Sequence, residues 1–253
     1  MRERGSRGPF RADQLRDGDS YELTRGNPVF CAPTGHRGSV ANVLGAEVLD
    51  TDPDVERAGV DAGFCPEPGT LRAPDVAVGN VGESPGWGPG APVLALEYAD
   101  TGQDEEQLQT KIADLLGAGT RWVWVVRLVG PRRVEVYERG APPRTMGPGA
   151  LLEAPGILRN AVAVEALFDR DAAHEATLRN LLQRRGYGNL DAVRQEGRVA
   201  QARAALLAVV ASRGLALDDA QRELVASCSD VEVLSRWHLA AVTAATADTI
   251  FAS

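Results

Sequence analysis

Lysine is nearly absent from this chain: Lys111 stands alone against 26 arginines. Guanidinium is a planar, permanently charged fork, whereas ammonium is a compact point charge whose proton affinity shifts readily on burial. A drift towards arginine that spares one position points to a place where an ammonium is needed; chance survival in a low-lysine chain is the alternative. Cysteine is scarce as well. Cys31, Cys65 and Cys228 are scattered and odd in number, which argues against a disulfide framework or a cysteine-based metal site and suits reduced thiols in a cytoplasm. Long apolar runs are missing, so no segment reaches membrane-spanning length. Arg2, Arg4 and Arg7 lead into no apolar segment, and a secretory leader is not expected. A basic excess is missing too. The formal net charge is −8, whereas proteins that live on phosphate backbones carry a basic footprint. Nucleic-acid contact would therefore be local. Its best candidate is the stretch holding Arg179, Arg184, Arg185, Arg194, Arg198 and Arg203, although a solvated helix face is the preferred reading there. There is no Gly-x-Ser-x-Gly elbow, no phosphate loop ending in Gly-Lys and no Cys/His nucleophile pair, so an unrelated α/β hydrolase lacks support.

What remains is an ordinary globular composition, 44% hydrophobic and 25% charged, long enough for one full core and an appendage. Residues 1–20 read as a loose lead-in. Tyr21 to Cys31 reads as a hairpin around Arg25-Gly26-Asn27. From His36 to Leu49 the positions Val40, Val43, Leu44 and Val48 fall at helical spacing, and the segment beyond Pro53 is irregular. Asp75–Gly79 and Val93–Tyr98 look like strands separated by a Gly/Pro/Ser-rich loop containing Trp87. Residues 103–117 predict a helix with Leu108, Ile112, Leu115 and Leu116 on one stripe, stopped by Gly117 and Gly119. Arg121 to Leu128 is apolar on both faces and so a central strand; Arg133 to Glu138 is a more exposed one. Interleaved strands and helices make the class α/β or α+β. Beyond residue 150 the pattern turns helical apart from a short segment near Val162–Phe168. Gln195 to Val210 is alanine-rich and amphipathic, stopped by Arg213-Gly214. Asp218 and Ser229 are candidate caps for two further helices, the last running through Trp237 to about Ile250.

Asp75, Glu97 and Lys111 belong together. If the strands at 75–79 and 93–98 pair antiparallel with residue 79 facing residue 93, then residue 75 faces residue 97. Directly opposed Cβ atoms lie roughly 4.5–5.5 Å apart, close enough for two carboxylates to share a cation. Alternation puts Glu97 with Ala95 and Val93, and Asp75 with Ala77 and Gly79, small neighbours that would leave room for a metal, water and a phosphate. Lys111 sits at the edge of the following helix's apolar stripe, so its ammonium is drawn towards the two acids. A structural Asp–Lys–Glu ion cluster, or a lysine snorkelling to the surface, is the competing reading.

The run Ala73-Pro74-Asp75-Val76-Ala77-Val78, then Val93-Leu94-Ala95-Leu96-Glu97, then Lys111, then Gly119 to Val126, resembles the PD-(D/E)xK nuclease superfamily. More closely, it resembles the Uma-two family of restriction-endonuclease-like proteins. That family carries Pro-Asp on one strand, Glu at the end of the next, a lysine about one helix later, and a Gly-(hydrophobic/aromatic)-Trp strand. The upstream hairpin with Glu22, and His36 opening a helix, fit the same pattern. The resemblance spans about residues 20–168, and the tail is similar to helical regions attached to related nuclease-like and transposase-associated proteins. It implies a restriction-endonuclease-like mixed central sheet flanked by helices over residues 21–168, with an all-helical region over residues 169–253.

The implied activity is DNA endonuclease. Asp75 and Glu97, with the main-chain carbonyl of Tyr98, would hold Mg²⁺ or Mn²⁺. Lys111 would orient a water or stabilise developing charge, Glu22 would be an extra acid, and His36 a lesser candidate for a metal or phosphate contact. Two departures stand out. The superfamily's lysine lies two residues after the Glu, where this chain has Ala99, and Tyr98 to Gly102 replaces a Ser/Pro-rich stretch. Asp100, within it, would either repel substrate or add a ligand. The alternative function is a nuclease-like module without turnover, acting through its tail, which the negative net charge favours. The tail is also a candidate homodimer contact.

Overall fold

Between Gly8 and Ala252, the residues described in the computed structural model, the chain divides at Arg184/Arg185 into two units. Met1–Arg7, part of the expected lead-in, lies outside the described residues. In the first unit the strands are β1 (Tyr21–Thr24), β2 (Asn27–Phe30), β3 (Ala58–Val60), β4 (Phe64–Glu67), β5 (Thr70–Arg72), β6 (Val76–Val78), β7 (Gly88–Pro89), β8 (Leu94–Ala99), β9 (Trp122–Arg127), β10 (Arg133–Glu138), β11 (Arg144–Met146), β12 (Leu151–Leu152) and β13 (Val162–Ala163). The helices are α1 (His36–Asp50), α2 (Glu105–Ala118) and α3 (Arg170–Arg184).

The main sheet has the order β11-β10-β9-β8-β6-β3. Only β8 and β9 run parallel in it, and α2 makes the crossover between them. This is the α/β class with a mixed central sheet flanked by helices expected from the sequence, with β9 central and buried along Trp122–Val126. β10 lies between β9 and β11, and Val134 and Val136 are buried, so it is less exposed than its sequence suggests. A second sheet, β2-β1-β5-β4-β7, joins the hairpin to the segment expected to be irregular. Its strands of two to four residues, broken by Gly and Pro, are too short to show a period. The hairpin turns on Arg25 (φ 49°) and Gly26 (φ 78°), the paired positive angles that suit the twist of a two-residue loop.

Alternation along β6, β8 and β9 feeds two cores. Val76, Val78, Leu94, Leu96, Tyr98, Trp122 and Trp124 pack with Ala41, Leu44 and Val48 of α1 and Ala173 and Ala176 of α3. The buried face of α1 is thus made of small and aliphatic residues, while Val40 and Val43 of the expected stripe are exposed. On the other side Ala95, Ala99, Val123 and Val125 pack under Leu108, Ile112 and Leu115 of α2. The small residues beside Glu97 therefore seat a helix rather than leave open space, which corrects the sequence-based expectation. α2 begins at Asp104, whose carboxylate accepts the Gln107 N–H at 3.0 Å, with Glu105 and Glu106 in the first turn matching the helix dipole. It stops at Gly119, φ 124°.

The lead-in and the expected boundary at 168 both differ from the structure. Ala12 is buried against Leu23 and Leu71, and Trp87 Nε1 donates to its carbonyl at 3.1 Å. Helix α3 is part of the first unit because its far end caps α1. Asn180 donates to Val48 O at 3.1 Å. Arg184 donates to the carbonyls of Asp50, Thr51, Asp52 and Val55 at 2.6–2.8 Å. A guanidinium fork suits carbonyls left free at a helix C-terminus.

The second unit holds α4 (Leu190–Ser212), α5 (Asp219–Ser227), α6 (Val231–Thr243) and α7 (Asp248–Phe251) around its own core of Val199, Leu206, Val225, Leu234, Trp237 and Ile250. Asp218 caps α5, as expected. Asp230, not Ser229, caps α6, accepting from Glu232 and Val233. The last expected helix breaks at Ala244 and resumes as α7. Among the described residues no helix is long and apolar enough to cross a membrane.

Candidate active site

Val76 pairs with Leu96 and Ala77 with Ala95, so one step further Asp75 stands opposite Glu97, the register the sequence suggested. The β3–β6 ladder has Val60 opposite Val76, and its continuation puts Asp61 opposite Asp75, with Asp61 N–H donating to Asp75 O at 3.4 Å. Three acids thus form a row across three strands. Asp75 is fixed by its neighbour strand: its Oδ2 accepts the Tyr98 N–H at 2.6 Å.

Lys111 enters this row from α2. Its Nζ donates to Ala73 O at 2.7 Å and to Glu97 Oε2 at 3.1 Å, and lies 2.9 Å from Glu97 Oε1 and 3.0 Å from Glu22 Oε1. The ammonium stem is only 16% exposed. Glu22 comes from the hairpin, where Leu23 turns into a small apolar core and alternation sends Glu22 the other way. Arg72 holds its second oxygen at 2.9 Å. The hairpin, β8, α2 and the Pro74 turn thus converge on one charged cluster, at the floor of a cleft of ≈ 460 Å³ that Phe30, Asp75, Glu97, Gln107 and Lys111 help to line.

Burial dominates the electrostatics. It pushes the Glu97 carboxyl up to about 8, Lys111 pulling against it and Asp75 and Glu22 adding to the rise. Burial also raises Asp75, opposed by Lys111 and by the Tyr98 amide. At Glu22 burial is outweighed by Lys111 and Arg72, and the carboxyl falls below its ordinary value. Burial disfavours the ammonium of Lys111, but Glu97, Glu22 and Asp75 outweigh it and hold the proton more tightly than in free lysine. Among the described residues no three histidine, cysteine or carboxylate side chains form a metal cage by themselves.

A family of proteins described as "Putative restriction endonuclease" matches residues 10–165. The chain belongs to this family, Uma2. The Uma2 span contains every residue of the charged cluster and ends before residue 185, where the helical unit begins. The fold is also similar to a crystal structure described as a "putative nuclease belonging to DUF820" from Anabaena variabilis. That likeness has a TM-score of 0.54 and 18% identity, and covers 65% of this chain and 99% of the other. A search of curated proteins gives no match.

Within this Uma2 domain Asp75, Glu97, Tyr98, Lys111 and Glu22 all come together. His36 does not line their cleft; it opens α1 and borders a separate groove with Arg37, Arg132 and Phe168. Asp100 lines the cleft but is paired: Arg37 Nε donates to it at 2.9 Å, and this contact holds its carboxyl down to about 2. Half of the arginine-rich stretch is committed to main chain, through Arg179 on Ala161 O, Arg184 on α1 and Arg203 on Cys228 O, and Arg194 pairs with Asp191. Sequence reasoning missed Asp61, Arg72 and Asp114. One of these left a trace. Asp114 follows Lys111 by three positions on α2, one helical neighbour away, whereas Arg72 ends a strand whose burial at every residue, where a charge demands a partner, is visible only in the structure.

Proposed function

We propose that the chain is a metal-dependent endonuclease that hydrolyses DNA phosphodiester bonds. The observation that carries this reading is Lys111 held between Glu97 and Glu22, with Asp75 opposite Glu97 at the floor of the cleft. The residues fit a divalent cation. Three buried or partly buried carboxylates lie around Lys111, and Glu97 Oε1 is buried with no partner beyond its 2.9 Å ion-pair contact with Lys111 Nζ. Asp75 and Glu97, with the carbonyl of Tyr98, would hold Mg²⁺ or Mn²⁺ through oxygen ligands of the kind these ions prefer. A bound ion supplies an acidified water and neutralises charge on the phosphate.

The chain's own groups do the remaining work. The Tyr98 N–H fixes the Asp75 carboxylate before any ligand arrives. Lys111, kept charged by its acids, orients the attacking water or stabilises the charge that grows on the phosphate oxygens. Ala73 O anchors the ammonium without competing for charge. Gln107 and Phe30 line the mouth where a strand of nucleic acid would enter.

A second reading is favoured by the net charge of −8: a nuclease-like module without turnover, acting through its helical unit on a partner or a second copy. Calorimetric titration with Mn²⁺ separates the two. Binding by the wild type that is lost in Asp75→Asn/Glu97→Gln, with DNA cleavage reduced ~10²–10³-fold in Lys111→Ala, supports the enzyme. A folded wild type that neither binds Mn²⁺ nor cuts DNA would make it the module.

A further inference from the structure

The ammonium of Lys111 has three partners, and only Glu97 is an expected metal ligand. Glu22 is already committed. Its Oε2 accepts from Arg72 Nη1 at 2.9 Å, and its Oε1 accepts the Ala73 N–H at 3.3 Å while facing Nζ. Arg72 is 3% exposed, and its other edge belongs to Asp114. Nε and Nη2 donate to Asp114 Oδ2 at 3.0 and 2.6 Å, and Nη2 also reaches Thr24 Oγ1. Asp114 and Lys111 leave α2 three positions apart, on one side of the helix. The contacts therefore close a ring that runs from Lys111 to Glu22, Arg72 and Asp114 and back along α2 to Lys111. A guanidinium, donating from two edges of one plane, can join both carboxylates; an ammonium offers no such fixed fork.

We propose that Arg72 and Asp114 are positioning residues for Lys111, and that Glu22 is the permanent counter-ion of the ammonium rather than a ligand of the metal. This rests on the metal-site reading above. When Glu97 is engaged by a cation, Lys111 loses one partner but keeps Glu22 and Ala73 O. It therefore stays at the cleft floor with a donor free for a phosphate oxygen. Glu22, gripped from behind by Arg72, is not free to swing towards the cation. The ring thus divides the acids of the site into those that serve the metal and the one that serves the lysine.

Because Lys111 is the sole lysine, protein grown with isotope-labelled lysine gives one lysine side-chain resonance, and it reports on this contact directly. In the full wild-type chain, Mg²⁺ is expected to shift that resonance while leaving it distinct from free lysine. Glu22→Gln should still bind Mg²⁺ by calorimetry, whereas Glu97→Gln should not. With Mg²⁺ present, the lysine resonance of Glu22→Gln should collapse to the free-lysine position. Asp114→Asn, milder than any change at buried Arg72, should move the resonance the same way, and Asp114→Glu should restore it. Loss of Mg²⁺ binding in Glu22→Gln would make Glu22 a ligand and overturn the proposal alone. So would a folded Asp114→Asn whose resonance does not move. A wild type that shows no Mg²⁺ response would remove the metal-site reading and this inference together.

Discussion

Gly45 lies directly against the phenol of Tyr98, so that a Cβ at Gly45 would overlap the tyrosine oxygen and come within 2.6 Å of Leu96 Cδ2. The close approach is what lets Tyr98 reach across: its hydroxyl donates to Leu167 O at 2.8 Å, and its main-chain N–H donates to Asp75. Gly45→Ala must displace the ring or helix α1. We expect a loss of about 1–3 kcal/mol, the usual range for an overpacked core, read as a lower urea midpoint. An unchanged midpoint would mean that the ring has room to move.

The raised Glu97 carboxyl fixes the sign of a pH effect. A carboxyl whose folded value, about 8, lies above its ordinary 4.5 holds its proton more tightly when folded. Its contribution to stability is complete below about 4.5 and is lost as pH rises through about 8. In EDTA, the wild type should therefore lose stability relative to Glu97→Gln between about pH 5 and about pH 9. Urea unfolding across that range checks it, and parallel curves for the two proteins would refute it.

Arg184 binds four carbonyls around the end of α1, and removing it leaves them to find water. Arg184→Ala should cost about 1.5–3 kcal/mol, the range for hydrogen bonds to a charged donor. Thermal unfolding of the full chain measures this. A change within error would show that the fork is dispensable and that α3 is held by Asn180 and its apolar contacts.

The helical unit carries its own core, with Leu206, Leu234 and Ile250 fully buried. A fragment spanning residues 185–253 should fold cooperatively, as many small domains of this size do. Trp237 is its sole tryptophan and 7% exposed, so a blue-shifted emission that moves red in one urea transition is the expected signature. A broad, featureless transition would mean that this core needs more of the chain.

Much of the site was legible because its parts obey short-range rules. Alternation puts Asp75 and Glu97 each on a face with small neighbours, although the register that opposes them has to be assumed across a long loop; the phase of Lys111 follows from the stripe on α2. The hairpin is written in Arg25-Gly26. What stayed hidden depends on distant partners. Glu22 and Arg72 are fifty positions apart, and nothing in either segment names the other. The strands β3 to β5 are too short and too rich in Gly and Pro to show alternation. Ala95 reads as empty space because a small residue looks the same whether it makes room for a ligand or for a helix.

Lys111 rides on the crossover between the one parallel strand pair of the main sheet, and this sets where the chain tolerates changes in length. A residue inserted between Asp104 and Lys111 would turn the ammonium by about 100° around the axis of α2, away from both glutamates, however well the helix still packed. The same insertion among residues 100–103, ahead of the Asp104 cap, leaves that phase untouched. Length variation in active relatives should therefore fall on the near side of the cap and vanish on the far side. The distance from acid to lysine is thus counted in helical turns rather than in residues.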